Sequence, residues 1–256
     1  MTIRPLLFAA LLFHFAVVAF SQDALKVAPH AYKLQFENEW VQVTRVHYGP
    51  REKIPAHDHT RWPAAYVYLN DAGPVIFRHV GWDHPELIRP PTKAGSFRLS
   101  PTLAVRETHE VENTTDLPSD FLRVEFKTRP VNRKSLRGRF HREDYPAGEN
   151  YRKVQFDNEQ IRITRLACAP HKSLDVMTTL SEPALLIAVS FARLKSIGSG
   201  GKAKQTTLEP GQTIWLAGGR QGRLENLGDA PIELLRFDLR TDPVNSKVRP
   251  KKAKGG

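Results

Sequence analysis

Between residues 30 and 243 the chain alternates short apolar and polar positions. Val41, Val43 and Val46, then residues 66–69, 75–77, 96–99 and 121–126, are β-branched or aromatic runs. Gly, Pro, Asn and Asp separate them at intervals of roughly ten residues, the spacing of antiparallel strands in a sandwich or barrel. No stretch in this region sustains the 3.6-residue period of a helix. The expected fold class is all-β.

The pattern is written twice. Phe36, Asn38, Glu39, Thr44, Arg45 and Pro50 recur as Phe156, Asn158, Glu159, Thr164, Arg165 and Pro170, at an offset of 120. Glu112, Asn113, Asp116 and Arg123 recur as Glu225, Asn226, Asp229 and Arg236, at an offset of 113. Self-similarity at a fixed offset marks a duplicated unit. Two tandem β domains are expected, at 30–130 and 151–243, with a basic linker at 131–150 and a basic tail at 244–256.

Charge adds little to that picture. The net charge is +11, but residues 131–144 sum to +3 and residues 244–256 to +5. Most of the excess thus lies in the linker and tail. Such segments attract polyanions weakly and in a salt-sensitive way, and no base-reading element accompanies them. Specific nucleic-acid binding is not expected. Cys168 is the single cysteine, so no intramolecular disulfide forms; in its apolar run it reads as buried filler. Residues 1–21 carry Arg4, an apolar run over 6–20 and small residues at Ala19 and Ser21. That is the layout of a cleaved secretory signal peptide, with an uncleaved anchor as the alternative. The mature chain is expected to be exported, periplasmic or secreted, without a membrane span.

The candidate chemistry lies in His57-x-His59. Two residues apart on a strand, both side chains project from one face and supply half of a metal site. His109 is a third candidate. A histidine pair on a strand also occurs as surface decoration or as a satisfied core pair, and that alternative stays open.

Gly49 followed by His57-x-His59, then Gly95-x5-Pro101 and His109-x3-Asn113, resembles the two motifs of the cupin superfamily; two such units resemble a bicupin. The resemblance implies tandem jelly-roll barrels, with a metal held by two histidines and usually a glutamate of the first motif and one histidine of the second. Here Pro63 and Ala64 stand where that glutamate falls. Seven residues separate Pro101 from His109 where the family usually has four. Asp58 points away from the pair on a regular strand, and Glu107 and Glu110 are expected to reach inward only from a loop. The implied metal set is His57, His59 and His109. Three imidazoles with open positions suit Fe, Zn, Cu, Ni or Mn rather than Mg or Ca. In the second unit the equivalent positions are Met177, Thr179 and Gly222, so that unit is expected to be metal-free.

His47, His79 and His84 match no motif and read as solvated or hydrogen-bonded strand residues. Trp62, Tyr66, Tyr68, Phe77 and Trp82 read as aromatic core, or as the lining of a mouth that admits an apolar ligand. Three functional readings remain: a metal-dependent, dioxygenase-like enzyme acting on a small organic substrate; a non-enzymatic small-ligand or scaffold protein; and a polyanion binder acting through linker and tail. No catalytic residue beyond the metal set is assigned. The two units are expected to pair within the chain, with homo-oligomers also open.

Overall fold

The computed structural model describes residues 23–60, 62–101, 107–131, 136–146, 148–179, 181–198 and 200–245. The proposed signal peptide lies outside the described residues, as does nearly all of the tail. A short helix α1 (Ala24–Val27) precedes ten strands: β1 (Tyr32–Glu37), β2 (Val41–Tyr48), β3 (Lys53–His59), β4 (Ala64–Tyr68), β5 (Val75–His79), β6 (Glu86–Arg89), β7 (Phe97–Ser100), β8 (Glu107–Asn113), β9 (Ser119–Phe126) and β10 (Gly138–Phe140). Nine more follow: β11 (Tyr151–Asp157), β12 (Ile161–Cys168), β13 (Ser173–Asp175), β14 (Ala184–Ala188), β15 (Ala192–Gly198), β16 (Ala203–Leu208), β17 (Thr213–Leu216), β18 (Gly222–Asn226) and β19 (Ile232–Leu239).

The strands form four sheets, two per unit. In the first unit they run β1-β2-β9-β4-β7-β10 and β3-β8-β5-β6; in the second, β11-β12-β19-β14-β17 and β13-β18-β15-β16. The strand orders correspond one for one except at β10. This strand comes from the basic linker and pairs with β7, Phe140 opposite Phe97, while Leu136 beside it is fully buried. The linker is therefore partly built into the first unit rather than wholly solvated.

The repeat is physical as well as textual. The register shift between Leu34 and Phe36 returns between Val154 and Phe156. Arg51 and His171, again 120 apart, both take φ of 55°. Asn113 Nδ2 donates to the Gly49 and Leu117 carbonyls, and Asn226 Nδ2 donates to those of Cys168 and Ala230. Buried amides that satisfy two chain segments hold the same turn in each copy.

One apolar cluster contains Val43, Phe97, Val124 and Phe126 together with Ile163, Leu185, Phe237 and Leu239. Each unit also docks an arginine on the other's turn. Arg165 Nη2 donates to the Gly95 carbonyl at 2.6 Å, and Arg45 Nη1 reaches the Pro210 carbonyl at 3.4 Å. Gly95 and Gly211 mark these turns with φ of 76° and 91°, a region that glycine enters without strain.

The interiors differ. In the second unit the inner cluster is aliphatic: Leu166, Cys168, Leu174, Leu186, Leu194, Leu224 and Leu234. In the first, Tyr32, Tyr48, Tyr68 and Phe121 surround a polar centre.

Candidate metal centre

Strand pairing places the candidate ligands. β3 and β8 are antiparallel with His57 directly opposite His109 and His59 opposite Glu107; across β8, His79 of β5 also faces His109. Period-two alternation turns His57 and His59 on β3, and Glu107 and His109 on β8, toward the interior. The ladder, not the distance from Pro101, sets the position of His109, so the extra residues in that connection leave it in place. Residues 102–106 of the connection lie outside the described residues.

The three rings converge. Centroids are 4.8 Å apart for His57–His59 and 4.9 Å for both His57–His109 and His59–His109. All three residues are buried, and one nitrogen from each lies within 4.8 Å of the others, a grouping that can hold a metal ion.

Their tautomers follow from their partners. His57 Nδ1–H donates to the Pro55 carbonyl at 2.8 Å, leaving Nε2 with a lone pair. That nitrogen meets the Tyr32 hydroxyl at 2.8 Å and His59 Nε2 at 3.2 Å. His109 Nδ1–H faces Glu107 Oε1 at 3.2 Å, and its Nε2 is buried without any hydrogen-bond partner. A buried nitrogen lone pair with nothing to accept is costly. Two facing ring nitrogens require a proton or a cation between them. The donor set therefore fits a metal: neutral imidazoles with converging ring nitrogens, His109 Nε2 unpartnered, and the outer nitrogens of His57 and His109 facing a carbonyl and a carboxylate.

Glu107 corrects the expectation from sequence. It is the first residue of β8, not part of a loop, and shares the inward face with His109. Its Oε1 accepts from His109 Nδ1 and, at 2.8 Å, from His79 Nε2. His79 Nδ1 faces the Pro85 carbonyl at 3.1 Å, so both its nitrogens face acceptors, an arrangement that favours the protonated ring. Of the two readings, the hydrogen-bonded strand residue holds and the solvated one does not: His79 is buried and stacked on Trp82 at 4.0 Å. His79, Glu107 and His109 also converge closely enough to hold an ion, but the commitments of His79 make them an orienting chain behind His109. Sequence reading missed this pair, although Glu107-x-His109 carries the same i, i+2 signal as His57-x-His59. His47 and His84 are exposed, and Asp58 accepts from Thr108 at 2.5 Å.

Burial drives the histidines neutral: the His57 pKa is pushed from 6.5 down to about 4, and those of His59 and His109 are lowered chiefly by the same desolvation. Burial alone would raise Glu107, but hydrogen bonds from His109 and His79 hold it well below the usual carboxylate range. Glu107 in turn raises His79. The lowered histidines contribute stability that is complete above pH 6.5. That stability is lost as pH falls toward 4, because the unfolded chain then binds more protons. His79 acts in the opposite sense, stabilising below its unfolded value and losing that contribution as pH rises through its raised one. With three groups against one, the metal-free protein is expected to be less stable at pH 4.5 than at pH 7. Urea midpoints across that range check this, and an unchanged midpoint contradicts it.

A cavity of about 180 Å³ opens onto this centre, lined by His59, His109, Glu107 and Arg123 and walled by Tyr66, Tyr68, Phe77, Trp82 and Phe121. Four of the five aromatics singled out in the sequence line it; Trp62 does not.

In the second unit, β13 ends at Asp175, before the positions equivalent to the histidine pair. Met177 is 57% exposed, and Gly222, opposite number of His109, begins β18 with no side chain to offer.

No protein-family model matches this sequence, and no curated protein matches it. Among solved structures, AerE from Microcystis aeruginosa superposes with a TM-score of 0.56 at 10% identity, covering 82% of this chain and 97% of that one. A cupin 2 conserved barrel domain protein from Leptotrichia buccalis gives 0.50 at 10% identity, covering 81% and 88%. Salicylate 1,2-dioxygenase from Pseudoaminobacter salicylatoxidans gives 0.52 at 14% identity, covering 78% and 68%. The fold is that of the cupins, and its two tandem barrels make it a bicupin fold.

Proposed function

We propose that the first barrel is a metal-dependent cupin centre, with His57, His59 and His109 holding Fe, Zn, Cu, Ni or Mn, and that it acts on a small organic molecule in the manner of a dioxygenase. The observation that carries the reading is the convergence of three neutral imidazoles, one with a buried, partnerless Nε2. The salicylate dioxygenase of the same fold was crystallised as adducts with gentisate, a small organic ligand of the kind proposed here. A divalent metal with three histidine ligands supplies Lewis acidity and open positions for ligand and oxygen. Around it, Glu107 and the Pro55 carbonyl fix the ring tautomers, Tyr32 brings a neutral O–H beside His57, and the aromatic walls exclude water. The aliphatic filling of the second barrel supports a structural role for it as the intramolecular partner of the first. The leader-like residues 1–21 support export. The polyanion reading, through linker and tail, ranks last: no base-reading element accompanies the charge, and part of the linker is built into the first unit as β10.

Metal analysis of the purified mature protein tests the reading. About one equivalent per chain is expected, and less than about a tenth ends it. Glu107→Gln should weaken metal binding about 10- to 100-fold, as loss of an orienting carboxylate does elsewhere. Competition against a chelator measures this, and unchanged affinity would remove Glu107 from the centre.

A further inference from the structure

Six buried side-chain atoms in the described residues lack any hydrogen-bond partner, and four of them belong to Arg89, Thr92 and Arg98: Arg89 Nε and Nη1, Thr92 Oγ1 and Arg98 Nε. Arg89 ends β6 and is only 4% exposed; Thr92 is 9% exposed. Arg89 spends Nη2 alone, on Ser119 Oγ at 2.9 Å and the Gly73 carbonyl at 3.5 Å. Its guanidinium lies 5.4 Å from the Tyr68 ring centroid and 5.6 Å from that of Phe121. Arg98 on β7 stacks over Tyr66 at 4.2 Å. Ring faces soften a buried cation but take up none of these in-plane N–H groups.

No carboxylate hydrogen-bonds to them among the described residues. Arg89, Thr92 and Arg98 line a second cavity of about 280 Å³, whose lining includes Lys93 and Arg139 but no acidic residue. Arg89 and Arg98 also line the cavity of the histidine centre, where the one carboxylate, Glu107, is committed to His79 and His109. The two arginines, with Tyr68 and Arg139, thus line both cavities. A buried guanidinium with no hydrogen-bonded counter-charge is unfavourable; Arg89 is buried and Arg98 half-buried, and an anion held between them would supply that charge. Pro90, Pro91, Phe97 and Phe140 give the second cavity an apolar side, beside Tyr68, Ser96 and His141, that suits the body of an organic molecule rather than a bare ion.

We propose that the first unit binds the carboxylate of a small organic acid between Arg89, Thr92 and Arg98. This rests on the barrel being a ligand site, but not on a bound metal.

Calorimetric titration of the mature protein with benzoate, benzamide and inorganic phosphate tests it, in metal-loaded and EDTA-treated samples. Benzoate should bind saturably in both samples and its neutral amide at least about 10-fold more weakly, since charge-assisted hydrogen bonds are lost. Arg98→Gln and Thr92→Val should each weaken benzoate, the arginine variant by about 10- to 100-fold. The comparison of benzoate with benzamide uses the unaltered chain, so a variant that fails to fold does not remove the test. Equal binding of benzoate and benzamide, or benzoate binding indifferent to folded variants, overturns the proposal. Phosphate binding tighter than benzoate overturns the organic-acid assignment. Loss of benzoate binding with EDTA would assign the carboxylate to the metal and overturn the arginine site. Benzoate binding in a protein that never takes up metal would instead refute the metal centre and leave this site standing.

Discussion

His109→Ala, in protein prepared with metal, is expected to retain less than about a tenth of an equivalent of metal, with His57→Ala behaving alike. His109 brings a buried ring nitrogen with no hydrogen-bond partner, and it stands opposite both His57 and His79 in the ladder. Removing it leaves two imidazoles 3.2 Å apart at Nε2, already linked by hydrogen bonds that include Tyr32. The stability consequence is large. A ligand held at a thousand times its dissociation constant stabilises the folded state by about 4 kcal/mol. EDTA should therefore lower the melting temperature of the unaltered protein and leave that of His109→Ala unmoved. His47→Ala, at an exposed strand position, should keep both metal and response. A histidine variant that still binds a full equivalent would place the metal elsewhere.

Arg165→Met is expected to destabilise the whole chain by about 3–5 kcal/mol, the usual result of leaving one member of a buried ion pair alone. Arg165 and Glu233 are paired with side-chain exposures of 0% and 1%. Arg165 also donates to Gln155 at 3.0 Å and to the Gly95 carbonyl of the other unit, while Arg142 of the linker joins Glu233 at 2.8 Å. One side chain thus ties linker, first unit and second unit together. Its repeat counterpart Arg45 pairs with Asp120 in a half-exposed setting of 37% and 19%. Arg45→Met should cost about 1 kcal/mol or less, because solvent screens that pair. Denaturant midpoints for the two variants give the comparison, and equal losses would refute the asymmetry.

That asymmetry shows how far repeated sequence carries. The matching arginines at 45 and 165 mark the duplication, but their burial depends on what the linker lays over one of them. Similarly, the alternating runs identify strands, and a strand with histidines two apart puts both on one face; those are local consequences of backbone geometry. Glu107 reads as a loop residue in the sequence because it is the first residue of β8, and its inward placement depends on register against β3 rather than on the local pattern. His79 stayed hidden because its partner lies 28 residues away in sequence. Arg89, Thr92 and Arg98 carry no spacing signal at all. They become a group only when β6, the turn after it and β7 close around one space.

The amino-acid order alone determined the all-β class, the duplication, the placing of the histidine pair on one strand face and the loss of those histidines from the second unit. Each follows from period-two alternation or from a constant offset, which need no knowledge of distant contacts. The tertiary structure decided that His109 meets His57, that Glu107 and His79 stand behind it, and that two arginines face a cavity without a counter-charge. These depend on register between strands far apart in the chain, and register is set by the packing of whole sheets rather than by any segment alone.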